Sequence, residues 1–299
     1  METVLITGGN GLIGKHLNHL LQSKGYKVTI LSRSNSDRPN TYFWDIEKGF
    51  IEQEAIEQAD FIIHLAGAGI ADKRWTKKRK KELIDSRVHS TQLLYKKVAQ
   101  FNPNLKGFIA ASGIGYYGAT TSDKIYIEND TAGTDFLATI CKLWEKESLM
   151  FNTINIRTVI FRTGIVLSKD GGAYTKISKP IKMGVGAALG NGKQYMPWIH
   201  IIDVCNMYLN AIENPNLHDI YNAVAPEHIT NKEFTKLTAN SLHKKIRLPN
   251  IPSFVLKTLL GKLAVILLTG SRISSEKIIT TKFKYKYPSL KIALKHINS

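Results

Sequence analysis

The first residues that could do chemistry are three glycines close to the start of the chain. Gly8, Gly11 and Gly14 follow the β-branched run 3–7 and precede an amphipathic helical pattern. A glycine turn between a strand and a helix lets the backbone N–H groups and the positive end of the helix dipole approach a pyrophosphate. The pattern therefore predicts a dinucleotide site. The alternative is a glycine turn that binds no ligand.

The end of the second predicted strand indicates which dinucleotide binds. The run 27–31 leads into Ser32, Arg33 and Ser34, where an NAD-selective site usually places Asp or Glu against the ribose 2′-hydroxyl. Arg33 instead offers a planar cation to a 2′-phosphate, and the two serines offer hydroxyl donors. We therefore expect NADP(H), with NAD the less favoured cofactor. The alternative is an arginine in a solvated loop.

Length and composition limit the class of protein. A chain of 299 residues can form one large domain or two unequal ones. Its two cysteines, Cys141 and Cys205, are too few for a disulfide framework and lack metal-ligand spacing. The longest apolar stretch, 254–268, is interrupted by lysines and too short to span a bilayer. We expect a cytoplasmic protein with no signal peptide, no metal site and no membrane partner.

The chain is strongly basic, with a formal net charge of +17. The cluster 73–81 is dense in lysine and arginine, which suggests binding to nucleic acid or to an anionic membrane. The remaining lysines look dispersed, and no recognised nucleic-acid motif accompanies them. We therefore expect a solvated basic surface and no nucleic-acid partner.

Strand-like and helix-like segments alternate through the first half of the chain. After the first two strands, further strands are predicted at 41–44, 60–67, 107–112 and 155–162. Long helices are predicted at 75–100 and 135–150. This order predicts an α/β Rossmann fold, a doubly wound parallel sheet with helices on both faces and its site at the strand C-terminal ends.

Glycines punctuate the chain from Gly164 onward, where we expect a small C-terminal substrate lobe. The predicted division is an NADP(H)-binding core over 1–165 and a substrate-covering lobe with the C-terminal segment over 166–299. Part of the second region, about 201–225, is expected to return to the core.

Several short motifs lie between the glycine turn and Asp203. They are Thr7-Gly8-Gly9-x-Gly11-x-Ile13-Gly14, Leu65-Ala66-Gly67 with Trp75, Ser86-Arg87 with Thr91, Ser112-x-x-Gly115-Tyr116-Tyr117-Gly118, Trp144-Glu145, Arg162-x-Gly164-x-Val166-Leu167 with Gly171-Gly172, Gly190-x-Gly192-x-Gln194 and Trp198-Ile199-His200-x-x-Asp203. Through them the chain resembles, nearly end to end, the extended short-chain dehydrogenase/reductases. Within that superfamily it is similar to the atypical epimerase/dehydratase-like proteins, labelled nucleoside-diphosphate-sugar epimerases or cell-division-inhibitor homologues. The tail 249–299 resembles their small C-terminal domain of unknown function.

The resemblance implies a seven-stranded Rossmann sheet, and together with the residues themselves it gives the candidate cofactor-binding positions. These are Thr7, Gly8, Gly11, Leu12, Ile13, Ser32, Arg33, Asp45, Leu65, Ala66, Gly67, Arg87 and Arg162. In the family's arrangement Arg33 lies near the 2′-phosphate, Asp45 near the adenine, and 65–67 under the nicotinamide-side ribose. A segment over 184–200 covers the substrate and supplies the substrate-binding candidates Gln194, Trp198 and His200.

The chain departs from the family at the catalytic positions. Active members carry a Tyr-x-x-x-Lys pair, and the corresponding residues here are Leu137 and Cys141. The remaining catalytic candidates are Ser112, which matches a serine that bonds a substrate oxygen, and the adjacent Tyr116 and Tyr117.

A tyrosine needs a neighbouring cation to act as a base at neutral pH, and Arg87, Lys142 or Arg162 could provide one. The alternative for the two tyrosines is a packed aromatic cluster. Cys141 is expected to be a small buried hydrophobe.

The resemblance and the residues together favour an NADP(H)-binding, epimerase-like oxidoreductase that transfers hydride to or from a small polar substrate, with nucleotide-linked molecules among the candidates. The alternative is a catalytically silent NADP(H)-binding or redox-sensing protein. Arg87 and Arg162 are expected near the strand ends, which favours an anionic substrate. Alternatively, both arginines serve the cofactor and structural carboxylates such as Glu145. The oligomeric state is left open.

Overall fold

The computed structural model describes residues 1–34 and 39–299. Its strands are β1 (Thr3–Thr7), β2 (Lys27–Ser32), β3 (Thr41–Asp45), β4 (Phe50–Ile51), β5 (Phe61–His64), β6 (Gly107–Gly113), β7 (Ile125–Tyr126), β8 (Thr158–Thr163), β9 (Ile165–Ser168), β10 (Trp198–His200), β11 (Asp219–Ala223) and β12 (Arg272–Ile273). Its helices are α1 (Leu12–Ser23), α2 (Gln53–Glu57), α3 (Lys77–Phe101), α4 (Phe136–Leu149), α5 (Gly172–Lys182), α6 (Ile201–Glu213), α7 (Asn231–Ser241), α8 (Ser253–Leu260), α9 (Val265–Leu268), α10 (Glu276–Thr280) and α11 (Leu290–Asn298).

One twisted sheet organises the protein, with the strand order β11-β8-β6-β5-β1-β2-β3-β4. Strands β11 to β3 in this order pair in parallel, and the two-residue β4 adds an antiparallel edge. Every residue of β1 is buried, as expected for a parallel strand covered on both faces. The predicted Rossmann fold is confirmed, with β4 as one strand more than the expected seven.

Two apolar clusters cover the faces of this sheet. One joins β1 side chains such as Val4 and Ile6 to α1 and α6, and the other joins Leu5 to α3 and the turn after α4. Helix α6 packs on α1, and β11 pairs with β8, so 201–223 belongs to the sheet layers. The division of the chain at residue 165 stays a prediction.

The element ends differ from the predicted ones for identifiable reasons. Helix α3 starts at Lys77 because the Thr76 hydroxyl accepts a hydrogen bond from the Arg79 N–H, an N-cap two residues later than expected. Strand β5 ends at His64, which leaves 65–67 as a loop over the sheet edge. Asp135 caps α4 by accepting from the N–H groups of Leu137 and Ala138.

A smaller lobe is built from β9, β10, α5, α7 and α11 around a third apolar cluster that includes Trp198 and Phe234. The segments α8 and α9 lie beside it, and β12 pairs with β7. In residues 1–34 and 39–299, no helix is both long and apolar enough to cross a membrane.

Candidate active site

The glycine turn joins β1 to α1 at the C-terminal edge of the sheet. Gly8 has φ +71°, and a Cβ there would lie 2.9 Å from the Leu65 carbonyl carbon. A Cβ on Gly14 would lie 2.5 Å from the Gly8 oxygen, so this glycine fixes helix packing. A Cβ on Gly11 would lie 3.2 Å from that oxygen and would otherwise project into the open space beyond the turn, where a pyrophosphate would bind. Gly11 is also the N-cap of α1 and lacks a capping side chain, which suits the helix N-terminus to a phosphate.

Thr7 supports the loop over the sheet edge. Its hydroxyl accepts hydrogen bonds from the N–H groups of Leu65 and Ala66, at 3.2 and 3.1 Å. The same oxygen lies 2.7 Å from Nδ1 of the buried His64. Because Thr7 is fully buried, it acts on the predicted cofactor site by holding the 65–67 loop in place.

The predicted 2′-phosphate position lies at the end of β2. The hydroxyls of Ser32 and Ser34 are 3.0 Å apart, and Arg33 is exposed. Within the described ranges, no carboxylate lies within ion-pair distance of Arg33. Asp45, predicted near the adenine, accepts from the N–H groups of Glu47 and Lys48 and thereby closes the turn after β3.

Arg87 is a buried cation beside the 65–67 loop. Its guanidinium donates to the carbonyls of Leu83 and Ala68, at 2.9 and 3.1 Å, and lies over the Trp144 ring. A Cβ on Gly67 would lie 2.9 Å from the guanidinium carbon, so the two groups are in contact. The described residues place no carboxylate within ion-pair distance of Arg87, and burial lowers its pKa to about 10. An anion beside Gly67 would stabilise this charge.

Arg162 is the centre of a buried polar network. Its Nε and Nη2 donate to the two carboxylate oxygens of Glu145, at 2.9 and 2.8 Å. Ser112 donates to Glu145 Oε1 at 2.6 Å. Arg162 Nη1 donates to the Tyr117 hydroxyl and to the Glu128 carbonyl oxygen, both at 3.0 Å. The guanidinium, in a residue only 1 % exposed, is therefore neutralised from inside the protein and does not stand free for a ligand.

The sheet register explains why this network forms. Ser112 on β6 pairs with Arg162 on β8, and Arg162 pairs with Asn222 on β11. Partners in register point to the same face, so the three side chains meet above the sheet edge. The Asn222 Oδ1 accepts a hydrogen bond from the Tyr117 hydroxyl at 2.6 Å. Its Nδ2 donates to the Ser274 carbonyl.

The two adjacent tyrosines have different environments. Tyr117 is buried and its hydroxyl both donates and accepts, and burial raises its pKa to about 12 despite the nearby Arg162. Tyr116 is half-buried, and its ring lies 3.3 Å from the Arg162 guanidinium carbon. Its hydroxyl makes no hydrogen bond to any of the residues that the structure describes. Tyr117 therefore matches the alternative of a packed aromatic cluster. The Tyr116 hydroxyl is not used within the described part of the protein, so it could bond a ligand.

The family's Tyr-x-x-x-Lys positions hold no acid or base. Leu137 packs by Gly115, and the Cys141 thiol lies near Gly113. Burial raises the pKa of Cys141 to about 11, with the Glu145 carboxylate adding to the effect. The thiol is therefore protonated at neutral pH, and Cys141 is a small buried residue as expected.

The three predicted substrate-binding side chains are buried inside the lobe. Gln194 donates to the carbonyls of Leu189 and Leu267, at 3.0 and 2.8 Å. His200 caps α6 by accepting from the Ile202 N–H, and Trp198 is fully buried in the third apolar cluster. In this arrangement they shape the covering segment, and none of the three presents a polar atom at an open surface.

Sequence reasoning named Glu145 only as a structural carboxylate that could pair with Arg87 or Arg162, and it did not assign Glu128 or Asn222 to the site. A signal for Glu145 exists, because it lies four residues after Cys141, which lies four after Leu137. Residues at this spacing share one face of α4. Asn222 reaches the site through the sheet register, and Glu128 reaches it through a loop contact. Neither arrangement can be read from a single sequence.

The site can be compared with known proteins. The profile of the NAD dependent epimerase/dehydratase family matches residues 4–224, and that of a domain of unknown function, DUF1731, matches residues 251–297. Epimerase family protein YfhF of Bacillus subtilis is 33% identical over 298 residues, 98% of this chain and 97% of that protein. Epimerase family protein SDR39U1 of Homo sapiens is 32% identical over 298 residues, 98% of this chain and 99% of that protein.

The human protein has also been solved as a crystal structure of isoform 2 with NADPH. This structure superposes with a TM-score of 0.88 at 31% identity, over 99% of each chain. Both relatives match this chain over nearly its whole length, and the human structure shares its fold. The chain therefore belongs to the NAD dependent epimerase/dehydratase family, with a C-terminal DUF1731 domain.

Proposed function

We propose that this protein is an NADP(H)-dependent, epimerase-like oxidoreductase that acts on a small polar substrate, with an anionic group favoured. The observation that carries the proposal is that the glycine turn and the Arg162 network lie at the same C-terminal edge of one parallel sheet. A dinucleotide on the turn would place its reactive end over this edge. The NADPH in the human relative's structure supports the choice of cofactor.

The residues at the edge suggest how a proton is handled. Bound NADP(H) would supply or accept the hydride. The Tyr116 hydroxyl can exchange the matching proton with the substrate oxygen, because it has no hydrogen-bond partner among the described residues and its ring is held against the Arg162 guanidinium. The Ser112 proton is committed to Glu145, so the remaining lone pair of Ser112 can accept a hydrogen bond from a substrate hydroxyl.

The choice of substrate rests on Arg87. Arg162 is neutralised by Glu145, whereas Arg87 lies against Gly67 with only carbonyl partners and an aromatic ring in the described ranges. One anion is therefore favoured beside Gly67, either a cofactor phosphate or a group of the substrate.

A thermal-shift screen of the NADPH-saturated protein tests this proposal. Sugar nucleotides and organic acids should raise Tm more than their neutral analogues do, and Arg87→Met should remove the difference. NADPH oxidation assays on the carbonyl compounds among the hits then test turnover. Hits confined to uncharged ligands would contradict the anionic preference, and failure to bind NADPH would contradict the proposal as a whole.

A second candidate is a catalytically silent NADP(H)-binding protein. The replacement of the family's Tyr and Lys by Leu137 and the protonated thiol of Cys141 favours it. Such a protein would bind NADPH and the same ligands without any substrate-dependent oxidation, and partner capture would depend on cofactor occupancy.

A further inference from the structure

The lobe and the adjoining α8–α9 region contain two segments that carry positive charge with no acidic residue. Residues 171–193 hold four lysines, and residues 234–275 hold seven lysines and arginines. Neither segment contains Asp or Glu. Together the two segments hold eleven lysines and arginines with no acidic residue in either. Their positive charge is therefore concentrated, in contrast to the dispersed lysines expected from the sequence.

The same two segments contain the large apolar side chains with the highest exposed fractions. After Met1, the four most exposed large hydrophobic residues among those described are Met183 at 68 %, Phe254 at 68 %, Leu259 at 62 % and Val185 at 51 %. Ile246 and Leu248 are exposed as well. Exposed apolar residues grouped in this way indicate an interaction surface more often than chance exposure.

Backbone hydrogen bonds join the two segments at one junction, and the exposed side chains lie on either side of it along the chain. The Gly190 N–H donates to the Ile251 carbonyl, and the Ile251 N–H donates to the Ala188 carbonyl, both at 2.8 Å. Met183 and Phe254 both lie within seven residues of this junction along the chain. We call this surface the basic-apolar face, formed by Met183, Val185, Ile246, Leu248, Phe254 and Leu259 with the exposed cations Lys182, Lys244, Lys245, Arg247, Lys257 and Lys262.

Helix α8 shows the arrangement in detail. Leu256 is buried against the protein, while Phe254 and Leu259 project outward and Lys257 is exposed between them in sequence. The adjoining 3₁₀ turn 261–264 adds the exposed Lys262. A short helix with outward aromatic and aliphatic side chains and flanking lysines has the composition of an interfacial membrane helix.

We propose that the basic-apolar face docks the protein reversibly onto an anionic phospholipid surface. The lysines match the negative headgroups, and the apolar side chains enter the boundary between headgroups and acyl chains. Nucleic acid would use the cations but would leave Phe254 and Leu259 in water, so the apolar residues favour a membrane. The docking needs no spanning helix, in agreement with the absence of one from the described residues. It revises the expectation of no membrane partner.

Vesicle sedimentation tests the proposal with the full-length protein. Vesicles of phosphatidylcholine with phosphatidylglycerol should bind the protein, and pure phosphatidylcholine vesicles should not. Binding should weaken as salt is raised. The charge variant Lys257→Glu/Lys262→Glu and the apolar variant Phe254→Ser/Leu259→Ser should each weaken binding about tenfold or more.

A matched control reverses two exposed lysines outside the face, Lys24→Glu/Lys96→Glu, and should bind within about twofold of the parent. All variants should keep the parent's NADPH affinity and thermal unfolding, since the changed side chains are exposed. The proposal is overturned if no vesicle binds, or if the control variant loses as much binding as the charge variant. It is also overturned if duplex DNA binds in place of vesicles and the apolar variant retains that binding.

Discussion

The Arg162–Glu145 pair offers the sharpest test of the site, because its cost can be worked out from its contacts. Changing Glu145→Ala removes the acceptor of two guanidinium hydrogen bonds and of the Ser112 hydroxyl. Arg162 is 1 % exposed, so water cannot replace the lost carboxylate without opening the network. Removing one partner of such a pair costs about 3–5 kcal/mol of unfolding free energy. For a chain of this size that lowers Tm by about 5–8 °C.

The matched control removes both charges. Glu145→Leu combined with Arg162→Met leaves no unpaired buried ion, so it should recover most of the stability that the single change loses. Urea unfolding of the parent, Glu145→Leu, Arg162→Met and the double variant gives a double-mutant cycle with a large coupling free energy. If Glu145→Ala alone costs less than about 1 kcal/mol, water reaches Arg162 and the buried network described here is wrong.

The same variants separate two roles of Arg162. The family resemblance includes Arg162 among the cofactor-binding residues, whereas the structure commits its guanidinium to Glu145, Tyr117 and a carbonyl. NADPH affinity of the double variant within about threefold of the parent would agree with a positioning role. A large loss of NADPH affinity in a folded double variant would show that Arg162 binds the cofactor directly.

Three further predictions follow from the site. NADPH should bind more tightly than NADH, and Arg33→Asp should flatten or reverse the preference; equal affinities in the parent by calorimetry would contradict this. Gly11→Val should fold normally by circular dichroism yet lose NADPH binding, whereas Gly14→Val should fail to fold, because its Cβ would overlap the Gly8 oxygen at 2.5 Å. Tyr116→Phe should lower any turnover roughly 10²-fold while Tyr117→Phe changes it only a few-fold; the opposite order in steady-state assays would place the chemistry on the buried hydroxyl.

The nucleotide-binding half was predictable because its signals are local. The β1 run, the glycine spacing and the helix pattern after it are set by residues adjacent in sequence, and the strand-helix alternation fixes a parallel sheet. The helix starts were less predictable, since Thr76 caps α3 and α3 therefore begins two residues after its predicted start. Caps depend on one hydroxyl, and apolar periodicity does not report it.

The polar network could not be predicted from spacing alone. Whether Tyr116 or Tyr117 is buried depends on the direction of a short 3₁₀ turn, and consecutive residues there point different ways. Gln194, Trp198 and His200 were placed at the substrate because of the family segment that contains them. The lobe's own packing buries them, and that packing involves α11, about a hundred residues away in sequence.

Leu137 and Cys141, at the positions that the resemblance assigns to the family's tyrosine and lysine, change where the site keeps its charge. With Leu137 and Cys141 on the first turns of α4, the nearest charged residue on that helix face is Glu145, and it is held by Arg162. A pair held by β6, β8 and α4 is fixed when the protein folds, so it can orient groups but has no charge left for a ligand. Among the described residues at this sheet edge, the Tyr116 hydroxyl has no hydrogen-bond partner and the Arg87 guanidinium has no carboxylate partner, so we expect these two groups to meet a ligand. Because Tyr116 follows β6 and Arg87 lies under the loop after β5, a ligand that uses both must lie across the ends of these neighbouring strands, where the glycine turn would also deliver a dinucleotide.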